Sequence, residues 1–299
     1  MRTRLLSAQL RKAFLALAAV ALPAPAVAQT NSVTFAAFGD IGHTADSAAV
    51  AKMTRSRGAQ LILMLGDLCY GSQPLATQIN TNYSAEKAAG KLWPALGNHD
   101  FSDACSGGNN ASGYRAYFSL PNNERYYDFK RGPVHFFALN SEIEPDGHSA
   151  TSKQALWLKA KLGASTSPWK VVFFHRAPFS SGSEHGSTSY MQWPFEAWGA
   201  DAVLAGHDHD YERIMKDVNG DKVTIPYFVS GLGGQSRRSF GHIVTGSVRR
   251  YSSAFGALFV TATSTSMKFE FRTAKGSLID SYSKTKANSA LEFRVVPKK

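Results

Sequence analysis

Five short polar clusters, each following an apolar run, constrain this chain more than any other feature. They read Phe38-Gly39-Asp40, Gly66-Asp67-Leu68-Cys69-Tyr70, Gly97-Asn98-His99-Asp100, Val172-Phe173-Phe174-His175 and Gly206-His207-Asp208-His209. Runs 33–38, 61–65, 134–140, 170–174 and 202–205 are short and mostly apolar, as strands buried on both faces are. Between them, 45–57 carries small and apolar residues at helical spacing and stops at Gly58. Thr151-Ser152-Lys153-Gln154 reads as a capping box ahead of Ala155, Leu156, Trp157, Leu158 and Leu162. Strand followed by helix, repeated, predicts a layered α/β fold. In such sheets ligands bind beyond the carboxyl ends of the strands, where the polar clusters fall. Glycine precedes Asp40, Asp67, Asn98 and His207, where a tight turn calls for permissive backbone angles. Past residue 220 the helical pattern fades, and 223–229, 257–262, 267–271 and 278–281 predict strands of a second sheet.

The ends of the chain read differently. Residues 1–28 have the form of a secretory signal: Arg2, Arg4, Arg11 and Lys12, then the apolar stretch 13–22, then Ala26-Val27-Ala28 as a small-residue cleavage site. Pro23 and Pro25 stop the apolar run well short of the roughly 20 residues that span a bilayer, which argues against a membrane anchor. Exported material, periplasmic or secreted, is the expectation. Residues 29–284 then form a single domain, because clusters spread from 38 to 209 cannot be divided between independent units. Residues 285–299 are polar and basic and read as a loosely held tail. Net charge is +11, four of it from the leader. No dense Lys/Arg run with interleaved aromatics occurs, so a nucleic-acid partner is not expected. Two cysteines, Cys69 and Cys105, allow one disulfide, which an oxidising compartment favours over two unpaired thiols.

Asp40, Asp67, Tyr70, Asn98, His175, His207 and His209 supply seven oxygen and nitrogen donors, enough for two hard metal ions in one cleft. Two ions roughly 3.5–4 Å apart can clamp a phosphoryl group and activate water, provided that a carboxylate bridges them. Asp67 lies suitably between clusters to bridge. His207 and His209, two apart on an extended loop, point in different directions and suit different ions.

The ordered set Asp, Gly-Asp, Gly-Asn-His-Asp, His, Gly-His-x-His resembles the calcineurin-like metallophosphoesterases. Tyr70, three residues after Asp67, narrows the resemblance to the purple acid phosphatase branch, as do Gly206 to Arg213 and Gln154-Ala155-Leu156-Trp157-Leu158. The resemblance spans roughly residues 33 to 283. It implies a β-sandwich of two mixed sheets flanked by helices. It also implies a dinuclear centre: Fe(3+) held by Asp40, Tyr70 and His209, a divalent iron, zinc or manganese held by Asn98, His175 and His207, and Asp67 between them. Tyrosinate is a hard anionic donor that favours Fe(III); neutral Asn98 suits the partner of lower charge. The implied activity is hydrolysis of a small phosphomonoester by in-line attack of a metal-activated hydroxide. His99 and His185 would serve as catalytic residues that meet the phosphate and protonate the leaving group. The competing readings are a phosphodiesterase on the same scaffold, acting on cyclic nucleotides or phospholipid headgroups, and a non-catalytic metal-binding protein. His43 is expected on the surface.

Overall fold

In the computed structural model of this chain, the described residues are 32–286, apart from 103–104, 106–110, 143–146, 219 and 221–222. The expected signal at 1–28 lies outside them, as does most of the expected tail. Residues 285 and 286 do not belong to a tail. Thr285 closes the last strand, and Lys286 Nζ reaches Asp201 Oδ2 at 3.1 Å.

Two mixed sheets face each other. The first has six strands in the order β13-β12-β11-β1-β2-β3. Its centre is β1 (Ser32–Phe38), β2 (Leu61–Leu65) and β3 (Leu92–Ala95), mutually parallel, with Phe35 opposite Leu61 and Ile62 opposite Leu92. Parallel neighbours need crossovers. Helices α1 (Ala45–Ser56) and α2 (Leu75–Ala88) provide them. Thr44 caps α1 by accepting from Ser47 N–H at 3.0 Å, and Gly58 follows its end with φ +69°. Pro94 sits in β3, a strand it can occupy because β3 lies at the sheet edge.

The second sheet has seven strands in the order β10-β8-β9-β7-β6-β5-β4. They are β4 (Tyr127–Arg131), β5 (Val134–Ala138), β6 (Trp169–Arg176), β7 (Ala202–Gly206), β8 (Tyr211–Lys216), β9 (Ile225–Ser230) and β10 (Ser247–Tyr251). Strands β5, β6, β7 and β9 run parallel; β4, β8 and β10 pair antiparallel. A short helix α3 (Ser112–Tyr117) packs beside α2, and α4 (Lys153–Ala164) joins β5 to β6. The cap of α4 is Ser152, whose hydroxyl accepts from Ala155 N–H, one residue later than the sequence pattern indicates. Gln154, expected to close the box, is buried and bonds the backbone N–H and C=O of Asn140.

The late strands do not form a sheet of their own. Strands β11 (Gly256–Thr263), β12 (Ser266–Thr273) and β13 (Leu278–Thr285) add as an antiparallel meander to the free edge of β1, whereas β9 enters the other sheet. Alternation in the sequence marks which residues face inward but not which edge a strand joins.

Residues from both sheets build the layer between them. Phe35 meets Phe136 edge-on at 5.0 Å, Phe228 stacks on Phe269 at 4.8 Å, and Tyr211 stacks on Phe271 at 4.1 Å. All six rings are fully buried or nearly so, each burial contributing roughly 2–3 kcal/mol. The outer face of the first sheet carries α1–α3 through Val50, Ile79, Tyr83 and Tyr114. The second carries α4 and segment 177–200 through Leu158, Leu162, Trp193 and Phe195.

Candidate metal centre

The carboxyl ends of five strands meet along one edge of the sandwich. From the first sheet β1 delivers Asp40, β2 delivers Asp67 and Tyr70, and β3 delivers Asn98. From the second, β6 delivers His175 as its penultimate residue, and β7 delivers His207 and His209. Hydrogen bonds tie the two edges together: Gly39 N–H donates to Ser230 O at 2.9 Å, and the Ser230 hydroxyl to Ala37 O at 3.0 Å.

Local backbone is bent to aim these side chains. Asp40, Asp67 and His207 hold φ of 59°, 51° and 73°, a region costing about 1–3 kcal/mol for residues other than glycine. The sequence pattern placed that burden on the preceding glycines. Only Gly66 carries it, at φ 84°. Gly39, Gly97 and Gly206 are required for space instead. A Cβ on Gly97 would stand 2.3 Å from both Asp67 N and Oδ1, and one on Gly206 would stand 2.7 Å from Asp40 Oδ2.

The donors fall into two groups around Asp67. In one, Tyr70 Oη lies 3.2 Å from Asp40 Oδ1, 3.1 Å from Asp67 Oδ2 and 3.4 Å from His209 Nε2. In the other, His175 Nε2 lies 3.2 Å from Asp67 Oδ2, 3.1 Å from Asn98 Oδ1 and 3.0 Å from His207 Nδ1. Asp67, His175 and His207 together form a buried cluster with metal-ligand spacing. Several remaining atoms of these residues are already engaged. His175 Nδ1–H donates to Leu65 O at 2.9 Å, leaving Nε2 for the centre. Asp40 Oδ2 accepts from His207 N–H, and Asp67 Oδ1 from His99 N–H at 2.8 Å. Gln78 of α2 clamps the backbone of Tyr70 on both sides.

Protonation shows what the centre favours. Burial alone would raise Asp67, but His175 and then His99 hold its carboxyl well below the usual carboxylate range. Burial would lower His175; Asp67, with Asp40 and Glu142 behind it, instead raises it to about 10. A proton is thus retained on Nε2 where Asp67, Asn98 and His207 converge, a position that favours positive charge. Burial, then Asp40 and Asp67, push the Tyr70 phenol far above its ordinary range. A phenol oxygen in contact with two carboxylates becomes an anion only if a cation of high charge joins it. Burial, His175, Arg176 and His185 hold His207 well below the usual histidine range, so its ring is neutral, the form that binds metal. The residues present therefore fit hard cations with oxygen and imidazole ligands.

The histidines expected to meet substrate lie at the rim. His99 is half exposed, its ring tilted 36° against that of Tyr70 with centroids 4.3 Å apart, and it holds Nε2 3.9 Å from Asp67 Oδ2. His185, in the loop after β6, stacks on His207 at 4.0 Å and 20°. Its backbone N–H meets Asp208 Oδ1, and Ser180 Oγ donates to Asp208 Oδ2, so Asp208 pins that loop. Both rings line a cavity of about 190 Å3 over the donors, together with Glu184, Gln235, Ser236 and Arg238. His43 lies on the surface against Thr81.

Several neighbours were assigned no role by the sequence. Ser236 bonds His209 Nδ1, and Arg176 Nη1 lies 3.0 Å from His207 Nε2 while its Nε bonds Glu142. Asp100 accepts from Leu68 N–H and Gly97 N–H, both at 2.8 Å, which joins the turns after β2 and β3. Cys69 and Cys105 are disulfide-bonded across those turns, with Cα atoms 5.7 Å apart, as the compartment argument expects.

Residues 33–211 match the calcineurin-like phosphoesterase family. The chain belongs to that family. Purple acid phosphatase 21 of Arabidopsis thaliana is 28% identical over 221 residues, covering 68% of this chain and 50% of the relative. Purple acid phosphatase 22 of the same plant is 29% identical over 208 residues, covering 64% and 47%. The chain thus spans about half the length of the curated relatives it matches. Among solved structures, a purple acid phosphatase from yellow lupin seeds superposes with TM-score 0.71 at 20% identity, covering 85% of this chain and 54% of the other, which shows a shared fold. This calcineurin-like phosphoesterase carries at its strand ends all seven donors read from the sequence.

Proposed function

We propose that the protein is an exported phosphatase with a dinuclear centre, Fe(3+) at Asp40, Tyr70 and His209 and a divalent iron, zinc or manganese at Asn98, His175 and His207, with Asp67 shared. The observation that carries this reading is the division of seven buried or half-buried donors into two groups that meet at one carboxylate. When bound, two such ions would supply Lewis-acid activation of a phosphoryl group and of the attacking water. The chain supplies the rest. His99 and His185 flank the open side of the cavity, where a phosphate over the donors presents its ester oxygen, and each ring can deliver a proton to the departing alkoxide. His185 is held below the usual histidine range, chiefly by burial. The leader at 1–28 supports export to a periplasmic or external site, and a cavity of about 190 Å3 suits a small phosphoester rather than a polymer.

The test combines metal analysis with a panel of phosphomonoesters and phosphodiesters. Iron with one further ion per chain, turnover of monoesters, and a visible charge-transfer band that Tyr70→Phe abolishes are expected. A preparation that turns over only diesters would replace the phosphatase reading with the diesterase one. Colourless protein with zinc or manganese alone would remove iron from it.

A further inference from the structure

Past His185 the cavity runs along the segment that follows β9, where Gln235, Ser236 and Arg238 line it opposite Glu184. A second hollow of about 410 Å3 opens beside it, lined by Ser236, Arg237, Arg238, Ser239, Ser252 and Phe255. Ser236 and Arg238 line both, so the hollows adjoin across these two residues.

Backbone bonds fix this segment to the metal centre. Gln235 N–H donates to Asp40 O and Arg238 N–H to His209 O, both at 3.0 Å. Its charges are held in place as well. The Arg237 guanidinium lies over the Phe255 ring, 5.5 Å from its centroid, and Nη1 donates to Ser252 O and Ser253 O at 3.1 and 2.7 Å. Those bonds use two of the five donors of the fork. Arg238 pairs with Glu184 at the mouth of the inner cavity, and its Nε is buried with no hydrogen-bond partner. Among the described residues, no carboxylate lines the outer hollow. Two guanidinium groups on a preorganised segment, with an aromatic face behind one of them, suit a carboxylate or phosphate group that binds side-on.

We propose that the outer hollow is a leaving-group subsite for an anion. The preferred substrates are phosphomonoesters whose alcohol carries a second negative charge, a carboxylate or a further phosphate. The scissile phosphate rests over Asp67, the ester oxygen faces His99 and His185, and the second anion passes Ser236 to reach Arg237 and Arg238. This proposal rests on the phosphatase reading and adds a substrate class to it.

A matched set of esters tests it: glycerol 3-phosphate, 3-phosphoglycerate and glycerol 1,3-bisphosphate, assayed on the metal-loaded full chain. Wild-type kcat/KM is expected to favour the two anionic alcohols by roughly 10-fold, the size of one charge-assisted contact in a partly exposed groove. In Arg237→Ala that preference should collapse toward 1, mainly through KM, and in wild type it should shrink as salt rises. Preference for only one of the two identifies the group as carboxylate or phosphate. Turnover of all three at equal kcat/KM, unchanged by Arg237→Ala, overturns the subsite and leaves the phosphatase standing. If none is turned over, calorimetric binding of 3-phosphoglycerate and glycerol 3-phosphate decides separately. Tighter binding of the former that is lost in Arg237→Ala keeps the subsite and sinks the phosphatase, whereas equal binding overturns both.

Discussion

Gly97→Ala should disable the proposed centre without replacing any of its seven donors. The backbone at Gly97 is extended, φ −118° and ψ 172°, so alanine meets no torsional penalty there. The whole effect comes from contact. The new methyl would sit 2.3 Å from Asp67 N and 2.3 Å from Asp67 Oδ1, and ordinary contact begins at 3.4 Å. About 1 Å must therefore open between the turns after β2 and β3. Both turns are tied by Asp100, which accepts from the N–H of Gly97 and of Leu68, and by the Cys69–Cys105 disulfide. Overpacking of this kind costs about 1–3 kcal/mol. The displaced group is the shared carboxylate, and a shift of about 1 Å at a reacting centre costs on the order of 100-fold in rate. The assay is metal content per chain, thermal melting and phosphomonoesterase turnover, with Gly163→Ala as the companion variant. Gly163 lies in α4, and a Cβ there would meet nothing within 4 Å. That variant should be neutral or up to about 1 kcal/mol more stable. Gly97→Ala with wild-type metal content, melting and turnover would refute the reasoning.

His99→Ala should keep the metal content, since it removes none of the seven donors and keeps the backbone N–H to Asp67 Oδ1, and should slow alkyl phosphates more than aryl phosphates, by roughly 10²–10⁴-fold for the former. Equal slowing of both classes would show that His99 positions phosphate and transfers no proton. Asp280 accepts from Tyr211 Oη at 2.7 Å and from Arg213 Nε and Nη2 at 2.7 and 3.0 Å, linking β13 to β8; against the effect of burial, these contacts hold its carboxyl below the usual carboxylate range. A depressed folded-state value means that the contribution is complete above pH 4 and fades as pH falls through the lower folded value, so Asp280→Asn should cost about 3 kcal/mol at pH 7 and flatten the acid limb of stability. Denaturation curves from pH 2 to 7 that keep the wild-type slope in the variant would contradict this. Reduction of Cys69–Cys105 should reveal two thiols and lower stability by about 3–4 kcal/mol. It should also speed metal loss to a chelator, because both bridged turns carry proposed ligands. Chelation kinetics unaltered by reduction would count against that link.

What the sequence exposed was decided locally. A short apolar run ending in Gly-Asp, Gly-His or a lone His announces both a buried strand and the residue at its tip, so β1, β2, β6 and β7 were legible, while Asn98 was legible from its Gly-Asn-His-Asp cluster alone. Pro94 hid β3, because a proline is compatible with a strand only at an edge and the sequence does not show edges. Edge choice also decided where β11–β13 went, and it depends on which neighbour buries Leu258, Val260, Phe269 and Phe271 best. Helix α2 contains a kink at Tyr83 and little amphipathic contrast, and it went unread, although its Gln78 holds Tyr70 in place. Ser236 and Arg238 adjoin no diagnostic residue, and their roles arise from a loop that folds back over strands distant in sequence; Arg176 follows His175 at the end of β6, but its partners Glu142 and His207 come from elsewhere in the chain.

Each sheet holds part of the candidate centre, and neither holds all of it. Asp40, Asp67, Tyr70 and Asn98 ride on one sheet, His175, His207 and His209 on the other, and both proposed metal positions draw donors from each side. The distance between partners such as His175 and Asp67 is therefore a readout of how one sheet sits over the other. That alignment is fixed by rings such as Phe35, Phe136, Phe228 and Phe269 in the middle of the sandwich. Substitutions in this aromatic layer that leave the fold intact can still let the halves slip, so residues remote from any substrate belong among the determinants of metal affinity and rate.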